Sequence, residues 1–227
     1  MTPLSFFPHH WVAVLAVLSI GLILAGVLAR AARSLPRRID PELGEAQHPR
    51  HPARRRLLLV ASPIFALASL WAFDAPLSAA LATVFVVVLL ALAWIDAETG
   101  LLPDLLTQPL LWLGLVANLG GRFVPLEDAV IGAVAGYLVL WSVYWAFLLA
   151  TRRESLGRGD LKLLAALGAW LGWMSLPWLL LISAGLGLLV ALGLRMQGRL
   201  AAGQALCFGP CLAVAGILVL FTLPAAM

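Results

Sequence analysis

Eight apolar runs occupy most of this chain, and two of them carry an aspartate at one end. The runs cover roughly residues 11–29, 57–73, 76–95, 105–121, 129–150, 161–173, 177–194 and 205–223. A membrane-spanning helix needs about 20 predominantly apolar residues, so several runs are short for a span but acceptable. The run at 161–173 is the weakest, because at about 1.5 Å per residue it reaches only about 20 Å, which suits a partial or tilted helix. Of the 227 residues, 63% are hydrophobic and 11% charged. A soluble domain is nearer half apolar and a quarter charged. The expected fold is all-α: a polytopic transmembrane helix bundle of about eight spans. The whole chain, 1–227, reads as a single membrane domain, with a polar loop at 30–56 and a helical core at 57–223.

The distribution of charge sets an orientation. Arg30, Arg33, Arg37, Arg38, Arg50, Arg54, Arg55 and Arg56 lie between the first two runs. Arg152, Arg153, Arg158 and Lys162 follow the fifth, and Arg195 and Arg199 follow the seventh. With the N-terminus outside, every basic residue but Arg122 is cytoplasmic, in keeping with the positive-inside rule. The net charge of +4 is therefore a matter of topology, and nucleic-acid binding is not expected. The first run lacks a basic leader in front and is followed by arginines, so it reads as a retained anchor rather than a cleaved signal. The segment Ser34–Arg56 is polar and proline-containing, a cytoplasmic loop without an obvious core. Its H-P-R-H stretch, His48–His51, reads as solvated loop in preference to a metal site. Cys207 and Cys211 read as small core residues on one helix face. With scattered histidines they offer too few ligands for a metal. Gly168, Gly172, Gly185, Gly187 and Gly193 point to close helix packing.

The chemistry falls to the acids. A carboxylate at the edge of hydrocarbon is costly and marks a functional candidate. Asp96 ends a helix that starts near Leu77, where the dipole and desolvation both disfavour its charge. Gly100 and Pro103 then break that helix and start the next. Asp160 opens a helix at a cap or first-turn position, where the N–H groups favour a carboxylate. Gly157 and Gly159 flank it and allow another backbone to come close. The same topology puts both aspartates on one side, as a dyad requires. Two neighbouring carboxylates do not both ionise easily, so one keeps a proton. These environments make Asp160 the ionised base that activates water and Asp96 the protonated partner. Asp104, after Pro103, reads mainly as a helix-start acid. Glu98 and Glu154 read as solvated loop acids, and Lys162 as a tuning group for Asp160, a contact for a partner, or a topology charge.

Three ordered stretches carry a resemblance. They are I-D-A-E-T-G-L-L-P-D-L-L-T-Q-P-L-L-W-L-G-L from Ile95 to Leu115, G-R-G-D-L-K-L-L-A-A-L-G-A-W-L-G from Gly157 to Gly172, and F-G-P-C-L-A from Phe208 to Ala213. Together they resemble the type IV prepilin peptidases, a family of membrane aspartic endopeptidases. The G-x-G-D element alone is shared with presenilin-like proteases; the L-P-D-x-L-T context and the K-L after the aspartate set those apart. The resemblance implies that Asp96 and Asp160 are the catalytic pair, and that Asp104 is the second acid of the L-P-D element. It also implies a multi-pass protein of the bacterial inner membrane with its active site facing the cytoplasm. The substrates would be prepilins or pseudopilins, whose apolar stem lies in the bilayer. Their basic leader could meet Glu98, Asp104 or Glu154 by charge complementarity.

Many family members also methylate the new N-terminus with S-adenosylmethionine, and many bind zinc through two C-x-x-C pairs in the first cytoplasmic loop. Here that loop is short and has no cysteine, so zinc is not expected and methylation stays open. The peptidase reaction itself needs no cofactor. The readings from other classes are a proton-coupled transporter and an inactive membrane scaffold. Both acids lie at helix ends rather than mid-membrane, which argues against a proton path.

Overall fold

Each apolar run becomes one helix. The computed structural model describes residues 8–39, 52–152, 157–198 and 207–222. Among them the helices are α1 (Pro8–Ile39), α2 (Pro52–Ala72), α3 (Pro76–Thr99), α4 (Asp104–Ala117), α5 (Leu126–Thr151), α6 (Arg158–Leu171), α7 (Leu176–Met196) and α8 (Gly209–Thr222). Single 3₁₀ turns lie at Asn118–Gly120 and Trp173–Ser175. No strand occurs among the described residues. Prolines mark the starts: Pro52 and Pro76 open α2 and α3, and Pro103 and Pro125 directly precede α4 and α5. Proline suits a first turn because its missing N–H has no partner there in any case.

Four helices are long and apolar enough to cross a membrane: Trp11–Ala32, Pro76–Thr99, Leu126–Ala150 and Trp173–Met196. Arg56–Ala72 and Gly209–Thr222 are shorter apolar helices. α4 and α6 have 14 residues each, about 21 Å of rise. The all-helical membrane architecture expected from the sequence is present, whereas helix length alone supports four spans, not eight. The expected polar loop at 30–56 is helical at both ends, since α1 runs to Ile39 and α2 begins at Pro52. Alanine, leucine and arginine dominate residues 28–35, and all three favour helix whether or not the segment is apolar. Residues 40–51, with His48 and His51, lie outside the described residues.

Two helices make the centre. α3 packs against α1, α2 and α8, and α6 packs against α5, α4 and α8, so α8 bridges the two. From Asp160 to Leu171 every residue of α6 but Lys162 is buried. The α5–α6 contact is backbone on backbone: a Cβ on Gly132 would collide with the Gly168 carbonyl, and one on Gly168 with the Gly132 carbonyl. Gly136, four residues after Gly132, lies as closely over Leu164. Small residues at this spacing let membrane helices approach.

The far end of α6 is held by polar contacts. Asn118 is fully buried, and its amide donates to the carbonyls of Ala169 (3.0 Å) and Trp170 (3.2 Å). Its carbonyl oxygen accepts the N–H groups of Phe123 (3.0 Å) and Val124 (3.2 Å). The Trp170 indole N–H donates to the Leu110 carbonyl at 2.8 Å. Asn118→Ala would strand several buried groups at once, each worth about 1–3 kcal/mol when unsatisfied. A clear fall in thermal stability is expected in detergent micelles, followed by loss of helical circular dichroism.

Candidate active site

The site forms where the C-terminal end of α3 meets the N-terminal end of α6. Asp96 lies in the last turn of α3 and Asp160 in the first turn of α6, each only 5% exposed. α3 stops because Gly100 takes a left-handed conformation, φ +67°, and its N–H closes onto the Asp96 carbonyl at 2.8 Å. Glycine adopts that conformation without steric cost. The chain then passes through Leu101 and Leu102 to buried Pro103, whose carbonyl accepts the Leu106 and Thr107 N–H groups and starts α4.

Glycines admit the neighbours. Gly157 caps α6 beside the carboxylate: a Cβ there would stand 3.2 Å from Asp160 Oδ2. Gly159 lies against Leu102 on the strap leaving Asp96, where a Cβ would be 2.7 Å from the Leu102 Cβ. Gly209, at the start of α8, donates its N–H to Asp96 Oδ2 at 3.1 Å, and a Cβ there would be 2.6 Å from the same oxygen. All three sequence stretches thus meet at one place. Gly209 is the site residue that sequence reasoning passed over, although its F-G-P stretch stood out. The signal was a glycine placed just before a helix-starting proline, at the depth of two buried acids.

The two carboxylates differ in their partners. Asp96 accepts a backbone N–H, which stabilises its charge. Asp160 Oδ1 is buried with no hydrogen-bond partner. Asp96, which the helix ends lead one to expect protonated, is thus the acid that accepts an N–H, and Asp160, expected as the ionised base, is the one with an unpartnered oxygen.

Lys162 does not serve Asp160. Residues two apart on a helix do not face each other, and the ammonium instead contacts both oxygens of Asp104, at 2.6 and 2.7 Å. That pair ties the first turn of α4 to the second turn of α6. Glu98, expected in solvent, is half-buried in the last turn of α3. Glu154 lies outside the described residues. Cys211 is buried in α8, but Cys207 precedes that helix and is exposed, so the two do not share a helix face. Pro210 starts the helix after Cys207 and not before it.

The type IV leader peptidase family model matches residues 83–192, a stretch that contains both carboxylates. Residues 83–192 belong to the type IV leader peptidase family. The chain is 60% identical over 129 residues to the prepilin leader peptidase/N-methyltransferase of Dickeya chrysanthemi, covering 57% of this chain and 46% of that protein. It is 50% identical over 181 residues to the protein of the same name from Burkholderia pseudomallei, covering 78% of this chain and 58% of the other. With that of Dichelobacter nodosus it shares 52% over 163 residues, 71% of this chain and 56% of the relative. The chain spans about half the length of the curated relatives it matches. No solved structure matches it.

Among the described residues no cluster of three or more histidine, cysteine or acidic side chains could hold a metal. A cavity of about 260 Å³ between α2 and α3 is lined by leucine, alanine and one tryptophan. It falls below the roughly 300–1,000 Å³ of small-molecule sites. It also lacks the polar partners that the adenine, ribose and amino-acid parts of S-adenosylmethionine would need.

Proposed function

We propose that this chain is a membrane-embedded aspartic endopeptidase that cleaves the basic leader from type IV prepilins or pseudopilins at the cytoplasmic face of the bacterial inner membrane. The proposal extends to the fold: about eight membrane crossings, with α2, α4, α6 and α8 as short ones and the N-terminus outside. The observation that carries the reading is the pairing of two buried carboxylates, Asp96 and Asp160, at one end of the bundle, one with a backbone N–H and the other without a partner.

That difference assigns the steps. Ionised Asp96 takes a proton from a water molecule, and the water oxygen bonds to the scissile carbonyl carbon. Protonated Asp160 gives its proton to the carbonyl oxygen as charge develops there. When the C–N bond breaks, the leaving amine takes the proton held by Asp96. The new carboxyl group returns a proton to Asp160. The pair titrates as a unit, and the cycle needs one proton on it. Gly157, Gly159, Pro103 and the Lys162–Asp104 pair position the two acids. Glu98 and Glu154 are the acids proposed to meet the basic leader by charge complementarity.

Methylation is the second activity in the relatives' name, and the same product reveals it. Membranes bearing wild type, Asp96→Asn or Asp160→Asn are incubated with prepilin and S-adenosylmethionine, and the product is weighed. Cleavage is expected from wild type only, with a loss of at least about a hundredfold in each variant. Product that gains the mass of one methyl group would add the transferase. Cleavage by wild type should decline at alkaline pH, as the pair loses its one proton. Variants that cut as well as wild type would remove the dyad from the mechanism and leave Asp104 as the next acid to test.

A further inference from the structure

The two sides of the bundle are offset along its axis, and contacts fix their heights. Gly132 of α5 meets Gly168 of α6, and Gly136 meets Leu164, so Leu140 stands level with Asp160. Phe85 of α3 packs on Trp170 of α6 with ring centroids 4.7 Å apart, and Leu89 and Leu167 both lie over Gly216. On α7, Gly187 lies nearest Phe208 and Cys211, at the start of α8, where Gly209 meets Asp96. Leu57 of α2 lines a small cavity with Trp94 and Ala97, so Arg56 stands at about the height of the dyad too.

Charge is costly in hydrocarbon and tryptophan favours its boundary, so exposed charges and tryptophans mark where a lipid-facing surface ends. On the α2–α3 side that surface ends at the dyad. Arg56 is exposed there, and α3 stops at Thr99, about 5 Å beyond Asp96. Its other limit is exposed Asp74, beside Trp71. On the α5–α7 side the apolar surface runs past the dyad. Val143 and Leu192 are 50% and 49% exposed, and the next charges are Arg152 and Arg195, about 18 and 12 Å beyond the dyad. The opposite limit is displaced in the same sense. Asp128 stands against Gly172 and hence near the height of Thr83, about 10 Å inside the start of α3. The uncharged band is about 27 Å on α2 and about 36 Å on α5, either side of the roughly 30 Å of a bilayer core.

We propose that the hydrophobic belt of this protein is oblique to its helices. It lies about 12 Å further toward the dyad end on the α5–α7 side than on the α2–α3 side. The two aspartates stand where its edge crosses the bundle. Water reaches them over the α2–α3 side, while hydrocarbon covers the α5–α7 side at the same height. A junction between an apolar stem and a polar leader meets both solvents there; this consequence rests on the function proposed above, whereas the offset does not. A tilt of the bundle satisfies the offset, and membrane helices commonly incline by 0–40°.

The full chain carrying Cys207→Ser and Cys211→Ala is spin-labelled at Leu57→Cys, Val143→Cys or Leu192→Cys. It is reconstituted in vesicles of dioleoyl phosphatidylethanolamine and phosphatidylglycerol. Collision rates with oxygen and with a water-soluble nickel chelate report the depth of each label. Leu57 is expected at the boundary, Val143 about 12 Å deeper, and Leu192 between them. Val143 and Leu192 stand on separate helices, so either variant tests the offset if the other does not fold. Labels at both positions in water, with Leu57 at the boundary, would mean a level belt ending at the dyad and overturn the proposal. Leu57 as deep as Val143 would mean a level belt passing over the dyad and overturn it equally. Reaction of Leu57→Cys with an impermeant maleimide outside intact cells would overturn the cytoplasmic placing of the dyad and leave the offset standing.

Discussion

The enclosure of α6 is the constraint on which the rest depends. A 14-residue helix is too short to cross the hydrocarbon in an ordinary way, and this one is covered by α4, α5 and α8 instead of by lipid. Its far end is satisfied by Asn118, and its side is covered closely because α5 carries glycines there. The same enclosure takes Asp160 out of water. Desolvation of the carboxyl is thus a property of helix packing, and the chemistry at the first turn follows from contacts made along the helix up to Trp170.

Asp96 reaches an equal degree of burial with the help of one hydrogen bond. Two buried acids in identical surroundings would share a proton without preference. The Gly209 N–H breaks that symmetry by favouring charge on Asp96. In the proposed mechanism a single backbone donor, admitted because position 209 has no side chain, decides which acid accepts a proton and which gives one. α8 therefore does more than close the bundle between α3 and α6.

The fold class was legible because apolar run length is a direct consequence of bilayer thickness. The place of α6 was not. Hydropathy reports how a segment suits lipid, and a helix surrounded by protein has no need to score well, so the 161–173 run looked weak while forming the centre. The polar stretch after residue 29 misled in the opposite sense: charge argues against a membrane but not against a helix, and α1 continues to Ile39. Of the site, the placing of Asp96 and Asp160 at helix ends beside glycines was legible, since it rests on local sequence; the difference in their partners was not, because the Gly209 N–H that Asp96 accepts lies 113 residues away.

Lys162 and Asp104 show how a motif residue can matter without touching the reaction. The pair is partly exposed, so its net worth to stability is small. Its value is geometric. The ammonium sits two residues from Asp160, and the carboxylate directly follows the strap that leaves Asp96 through Leu102 and Pro103. With Gly159 packed on Leu102, the ion pair fixes the offset between the two helix ends at a second point. One contact alone would allow the first turn of α6 to pivot about the strap. Two contacts on successive turns do not, so the end of α6 that carries Asp160 is held in place relative to the strap that leaves Asp96. An asparagine at 104 could still accept a hydrogen bond from Lys162, so holding the offset requires an acceptor at that position more than it requires a charge.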